Sequence, residues 1–417
     1  MTTLQSSAVA TSAARYEPSR RRWFIAGLLL LVVISGFFDR ISIAVLFTNQ
    51  DFVTTIGTGF NPPLLGLLMT SFLFAYGASG VLLSFVGDFF GVRRSLAVAS
   101  TLWGILMALI GATSSYSMMI FYRVLLGIAE GPQFSFVNKV VKQWFPPQEQ
   151  GRANSIWMIG SPLGSAIGFP LTIALVAGFG WRASFYLLAV FNIAIMLPLI
   201  LLFIRDNPQK PAEALPVARV TPQSFRTDVG HFLSDWRFWL ILFFNSACLL
   251  YLWGFNAWLP SYLQQVRHFD LKSLGLFASL PFILMFFGEL AGGYVSDRLG
   301  RRAPVCFVGL FCAGALIYVV PMMTDPYLAA IVLALSAGFW GAALPPLFAL
   351  AAHIIPPSVT SSGVGVYNGV GNLIGACSPL LMGWIIGVTG NFNAGLMVLV
   401  LSGMIGACAM LPLLKRY

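Results

Sequence analysis

Long apolar stretches alternate with short polar ones along almost the whole chain. Runs such as 25–35 and 193–204 are continuous and show none of the two-residue alternation expected of a membrane barrel strand. In lipid the backbone must bond to itself, so such runs become helices. A helix needs about 20 apolar residues to cross a bilayer. The pattern predicts spans at 23–46, 63–86, 96–112, 118–141, 151–176 and 182–204, then at 237–263, 272–296, 303–323, 327–350, 361–387 and 391–413. Between the two sets lies a polar stretch, 205–236, with Pro208, Pro211, Pro216, Pro222 and charges of both signs. The expected architecture is an all-α integral membrane protein of twelve transmembrane helices in two pseudo-symmetric six-helix bundles. Its parts are a disordered N-terminal tail (1–20), a first bundle (21–204), a linker (205–236) and a second bundle (237–417). The first apolar run follows Arg20-Arg21-Arg22 and is too long for the core of a cleaved signal peptide.

Composition strengthens this reading. Of 417 residues, 58% are hydrophobic and 9% charged, against about 25% charged in an ordinary soluble domain. The net charge of +10 reads as membrane topology rather than as a nucleic-acid surface. With the N-terminus placed in the cytoplasm, nineteen of the 24 Lys and Arg fall on the cytoplasmic side. Arg182, Arg267 and Lys272 fall outside, and Arg40 and Arg123 fall within spans. So strong a bias fits the positive-inside rule. It places both termini in the cytoplasm and fits a bacterial inner membrane, or an organellar membrane of like orientation. Five cysteines, all in apolar segments and without a Cys-x-x-Cys pair, give no disulfide or zinc framework and read as buried core fillers. No phosphate loop, metal spacing or nucleophile–base motif occurs, and His231, His268 and His353 are scattered.

An internal repeat links the halves. Asp88-Phe89-Phe90-Gly91-Val92-Arg93-Arg94 follows the second span, and Asp297-Arg298-Leu299-Gly300-Arg301-Arg302 follows the eighth. At such helix ends Asp88, Arg93, Arg94, Asp297, Arg301 and Arg302 suit a gate latch, bridging neighbouring helices in one state and releasing them in another. Repeated halves in a transporter place the substrate between them near the midplane.

Charges inside spans are costly and so mark function. Asp39 and Arg40 interrupt span one, about 100° apart around the helix, so that both can face a central cavity. Arg123 and Glu130 share a face of span four about 10 Å apart, too far to pair directly. Asp39 is then a candidate partner for Arg123, and Glu130 lacks an obvious cation. Burial disfavours the charged form of a lone carboxylate, which suits a proton carrier. Glu289, in span eight, either titrates or pairs near the cytoplasmic face. Tyr76, Ser161 and Asn372 are polar or amphipathic groups in spans two, five and eleven, each a weak signal alone, since lone Ser and Asn in membrane helices often serve helix packing. Tyr251, Trp253, Phe255, Asn256 and Trp258 form an aromatic cluster in span seven that packs or walls a ligand.

These residues resemble the major facilitator superfamily, although Phe89 stands where its signature loop carries arginine. Finer motifs resemble its anion:cation symporter family: Asp39–Ala44, Arg123–Pro132, Trp144-Phe145-Pro146, Gly180-Trp181-Arg182, Trp258–Leu263 and Gly371–Gly375. That family includes bacterial importers of sugar acids and aromatic acids and the vesicular glutamate and sialic acid transporters. The resemblance covers about residues 20–413. It implies a membrane transporter, not an enzyme, that imports an organic anion together with protons by alternating access.

Carried over by position, the resemblance implies that Asp39 and Glu130 carry protons with Arg123 coupling them. Arg40 would meet the substrate carboxylate, and Tyr76 and Asn372 would bind substrate hydroxyls or carboxylate; Ser161 and Asn256 are further candidate polar contacts from their place in spans five and seven. It implies no cofactor beyond the proton gradient, no metal, no nucleic acid and no need of more than a monomer. Two departures bear on substrate. Ser161 stands where galactonate-type members carry glutamine, and 80–85 replaces their Gln-x-Pro-Gly-Gly run. An unmade buried hydrogen bond costs about 1–3 kcal/mol, so fewer polar partners favour a less hydroxylated or aromatic carboxylate. A proton-coupled exporter of organic anions or drugs on the same fold is the alternative reading. A receptor or a lipid-directed enzyme is a third, opposed by the midplane charges and by the missing nucleophile–base set.

Overall fold

A computed structural model describes residues 21–83, 86–206, 230, 233–354 and 360–416. The expected tail, 1–20, and most of the expected linker lie outside these residues. Among those described there is no strand, and eleven helical stretches are long and apolar enough to cross a membrane. Span one is Arg21–Val45, span two Pro62–Leu82 and span three Val92–Ala112. Span four is the twelfth crossing, broken into Tyr116–Glu130 and Gln133–Trp144. The break falls at Gly131-Pro132, because proline cannot donate a backbone hydrogen bond and its ring crowds the preceding turn.

Span five runs as Pro147–Met158 and Gly160–Phe179. Span six runs as Trp181–Val190, a π-helical turn Phe191–Met196, and Leu197–Phe203. Spans seven to ten are Trp236–Gln265, Leu271–Leu299, Ala303–Val319 and Pro326–Ile354. Span eleven is broken into Thr360–Gly375 and Ser378–Thr389, and span twelve is Phe392–Cys408.

The repeat is visible in the turns. Gly91 (φ +80°) and Gly300 (φ +61°) occupy equivalent places in the two signature loops. Gly180 (φ +79°) and Gly390 (φ +64°) close spans five and eleven. A side chain in this region of φ is strained, so glycine is the residue that turns the chain there. At Gly91 a methyl would also lie 2.6 Å from Asp206 Oδ2. The same carboxylate accepts the Arg93 N–H at 3.1 Å and so caps span three.

The halves are joined tightly at the end away from the termini. Thr48 hydrogen-bonds to Gln264, linking spans one and seven. Phe47 and Phe392 both pack on Trp258, at 5.5 and 6.1 Å between ring centroids. Gly66 and Gly383 lie flush against the carbonyls of Pro379 and Pro62, so spans two and eleven touch backbone to backbone. Thr70 bridges the break in span eleven, donating to Ala376 O at 2.7 Å and accepting from Leu380 N at 3.2 Å. Glycine seams of this kind are how membrane helices approach closely.

The cysteines depart from expectation. Cys248 and Cys306 are buried and Cys312 is half-buried, but Cys377 and Cys408 are exposed. In lipid an apolar segment has no reason to hide a thiol, so apolar surroundings in sequence did not mean burial.

Candidate functional site

The in-span charges gather in the interior of the first six spans. Asp39, Arg40, Arg123 and Glu130 are all fully buried. Arg40 Nε donates to Glu130 Oε2 at 2.9 Å, and Arg40 Nη2 donates to Gln133 Oε1 at 2.8 Å. Gln133 is tied in turn, its Nε2 donating to Val32 O at 2.8 Å. The Arg40 guanidinium lies over the rings of Phe37 and Tyr76, 4.7 and 4.4 Å from their centroids. Such faces attract a cation. The proline break explains the geometry. It ends one helix at Glu130 and starts the next at Gln133, turning both side chains onto Arg40. Gly36 leaves the room, because a methyl there would lie 2.7 Å from Gln133 Oε1.

Three expectations are corrected. Glu130 does not lack a cation: Arg40, 90 residues away in sequence, is its partner. Among the described residues Arg123 makes no hydrogen bond to Asp39, and acts on it only through its charge. Its Nε donates to Leu68 O at 3.2 Å and its guanidinium rests on the Phe72 ring at 4.5 Å. Nor do Asp39 and Arg40 face an open cavity in this state; both are enclosed.

Asp39 is held instead by Asn192, whose Nδ2 donates to Asp39 Oδ2 at 3.3 Å. The four charges sum to zero when all are ionised. Among the described residues each has one atom without a hydrogen-bond partner: Asp39 Oδ1, Arg40 Nη1, Arg123 Nη1 and Glu130 Oε1. Charges inside a span are costly, so this buried set marks the candidate site.

Rings connect this set to the second half. Phe37 stacks on Trp253 of span seven at 6.5 Å and packs on Phe134 at 6.4 Å, and Phe134 meets Trp157 at 5.4 Å. Trp253 Nε1 donates to Asn372 Oδ1 at 3.3 Å, and Asn372 Nδ2 donates to Asn368 O at 2.9 Å. Tyr76, Arg40, Trp253 and Asn372 are thereby linked across the two halves. Asn256 is buried, and neither amide atom has a hydrogen-bond partner among the described residues. Ser161 is half-buried past the break in span five and takes no part in these bonds.

Glu289 lies apart. It is half-buried on span eight, two turns on from Phe282, which packs on Phe169 of span five and Phe255 of span seven. No hydrogen bond or ion pair to Glu289 occurs among the described residues.

The signature loops latch within their own halves. Arg93 Nη2 donates to Leu201 O at 2.5 Å, and Arg302 Nη1 donates to Ala349 O at 3.0 Å. The Asp88 side chain lies outside the described residues. Asp297 and Arg302 line a cavity of about 320 Å³ with Ser296, Gly300, His353 and Arg416. Arg94 and Arg301 make no hydrogen bond in the described residues.

Sequence reasoning missed Gln133, Asn192, Phe134 and Trp157. Asn192 carried a signal, as a lone polar residue inside an apolar run, whereas Gln133 was masked by the other polar residues around it in span four. The two rings carried none, because aromatic residues are common in every span.

The matching family is the Major Facilitator Superfamily, over residues 28–379, and the chain belongs to it. It is therefore a membrane transporter and not an enzyme. Among its relatives is a probable sulfoacetate transporter of Cupriavidus necator, 31% identical, with 91% of this chain and 90% of the relative covered. The hexuronate transporter of Bacillus subtilis is 26% identical, with 89% of each chain covered. A probable L-galactonate transporter of Escherichia coli is 26% identical, with 93% of this chain and 88% of the relative covered. A solved bacterial homologue of the human lysosomal transporter Spinster, inward-facing and unoccupied, superposes with a TM-score of 0.75 at 19% identity, covering 95% of both chains. It shares the fold.

Proposed function

We propose that this chain is a proton-coupled symporter that imports a small organic anion across a bacterial inner membrane, with both termini in the cytoplasm. Its two six-helix halves, joined by the stretch at 205–236, rock around a midplane site. It works as a monomer and needs no cofactor, the proton gradient supplying the energy. The basic bias of the loops toward the termini side supports the orientation.

One observation carries this reading: a buried set of two carboxylates and two guanidinia, neutral as a whole, in which every member keeps a free atom. Adding an anion alone would leave a net charge in a low-dielectric interior, which is costly. Adding an anion with a proton leaves the set neutral. A proton on Glu130 weakens its hold on Arg40 and frees the guanidinium for a substrate carboxylate. Asp39 takes or gives the proton through its free oxygen. Arg123 holds the charge balance from two turns of helix before Glu130. Tyr76, Asn372 and the stacked rings of Phe37 and Trp253 wall the substrate, with Ser161 and Asn256 as further polar contacts.

The relatives named for sulfoacetate, hexuronate and galactonate support an organic acid as substrate. Fewer polar groups and more rings favour the less hydroxylated of these, a short sulfonated or carboxylated acid. With one proton per monoanion no net charge crosses, so the pH difference drives accumulation, at about 1.4 kcal/mol per pH unit.

The test is uptake into proteoliposomes of sulfoacetate, glucuronate and galactonate under an imposed pH gradient. Wild type accumulates one of them. Asp39→Asn and Glu130→Gln lose gradient-driven accumulation while still exchanging internal for external substrate. Full accumulation by either variant would end the proton-carrier assignment.

A further inference from the structure

Asn192 sits in the one π-helical turn among the described residues, Phe191–Met196 of span six. Single π-turns inside α-helices recur at functional sites, because the extra residue re-aims a side chain and changes the pairing of a carbonyl. Both consequences are visible. Asn192 O accepts the Leu197 N–H, five residues on, and also the hydroxyl of Ser100 from span three at 2.9 Å. Its side chain is fully buried and points at span one. There Ser35 Oγ donates to Asn192 Oδ1 at 2.8 Å, which fixes the amide so that Nδ2 faces Asp39 Oδ2 at 3.3 Å. Ser35 is one helical turn before Asp39, so one span grips the amide at one end and presents the carboxylate at the other.

We propose that Asn192 is a positioning residue that selects which oxygen of Asp39 takes the proton and sets the pH at which it does so; this rests on the proton-symport reading above. With Oδ2 occupied by the amide, Oδ1 is the oxygen left without a partner. A donor on a carboxylate favours its ionised form, so Asn192 makes the proton easier to release. The charged groups acting on Asp39 are Arg40 on its own span and Glu130 and Arg123 on span four. Span six contributes the neutral amide alone. The amide can therefore tune Asp39 without adding charge to a neutral set. Because Ser100 and Ser35 anchor it from spans three and one, its reach to Asp39 depends on how those spans lie against span six.

The experiment is an infrared pH titration of the full protein in lipid vesicles without substrate. The protonated carboxyl band of Asp39 is identified by its loss in Asp39→Asn. Asn192→Leu is expected to move the midpoint of that band upward by about one pH unit, the size of one hydrogen bond to a charged group. An unmoved midpoint in a folded Asn192→Leu overturns the proposal. If that variant does not fold, Ser35→Ala decides. It keeps Asn192 but releases the amide, so the midpoint moves the same way by less, and an unmoved midpoint again overturns the proposal. If wild type shows no Asp39 band at any pH, the proton-carrier reading of Asp39 falls and this proposal with it. A wild-type band with unmoved variants sinks only the role of Asn192.

Discussion

Arg40 shows how little a residue's place in the sequence says about its partner. The buried guanidinium is satisfied by Glu130 and Gln133, with Phe37 and Tyr76 against its faces. Removing one member of a buried pair leaves the other charge uncompensated, at a cost of about 3–5 kcal/mol. Replacing both by apolar groups is often close to neutral. Glu130→Met should therefore lower the melting temperature of the purified protein sharply, and the double variant Arg40→Met/Glu130→Met should recover most of that loss. A double variant no better than the single one would mean that the pair is not what Glu130 stabilises. Asn192 is the other lesson at this scale. It reads as one polar residue in an apolar run, and its value comes from a turn that the sequence does not announce.

At the scale of elements, the breaks matter more than the helices. Span four bends at Gly131-Pro132, and the bend is packed against span two with no room to spare. A methyl at Gly131 would collide with Ser79 Oγ, Tyr76 O and Gly80 N. Gly131→Ala should push span four away from span two and pull Glu130 off Arg40. Transport should fall at least tenfold and the melting temperature should drop, both measurable on the same preparation. Wild-type behaviour would show that the seam is looser than its geometry. Span eleven has the matching break at 376–377, bridged from span two by Thr70. The expected boundaries were otherwise close. Span two ends at Leu82 rather than 86, spans seven, eight and ten run a few residues longer than the apolar pattern indicated, and span nine ends at Val319 rather than 323.

For the whole molecule, the observable is the seal at the end away from the termini. Thr48 and Gln264 meet there across spans one and seven. Alternating access requires this contact to open in each cycle. With cysteines at the two positions, Thr48→Cys/Gln264→Cys should crosslink under oxidation, stop uptake, and regain it on reduction. Crosslinking that leaves uptake intact would rule out movement at this seam. The signature loops behave differently in this state. Arg93 and Arg302 hold helices of their own halves, so the predicted latch acts here as a brace within each bundle.

The sequence alone determined the spans, the two halves, the basic bias and the identity of the charged residues. These are local quantities: lipid solvates each stretch by its own polarity, and a charge within an apolar run stands out wherever that run packs. Only the tertiary structure decided which charges meet. Asp39 and Asn192 are 153 residues apart, and Arg40 and Gln133 are 93 apart. Their contact depends on which face each helix turns inward, and kinks at Gly131-Pro132 and at the π-turn reset that face in ways no periodicity records.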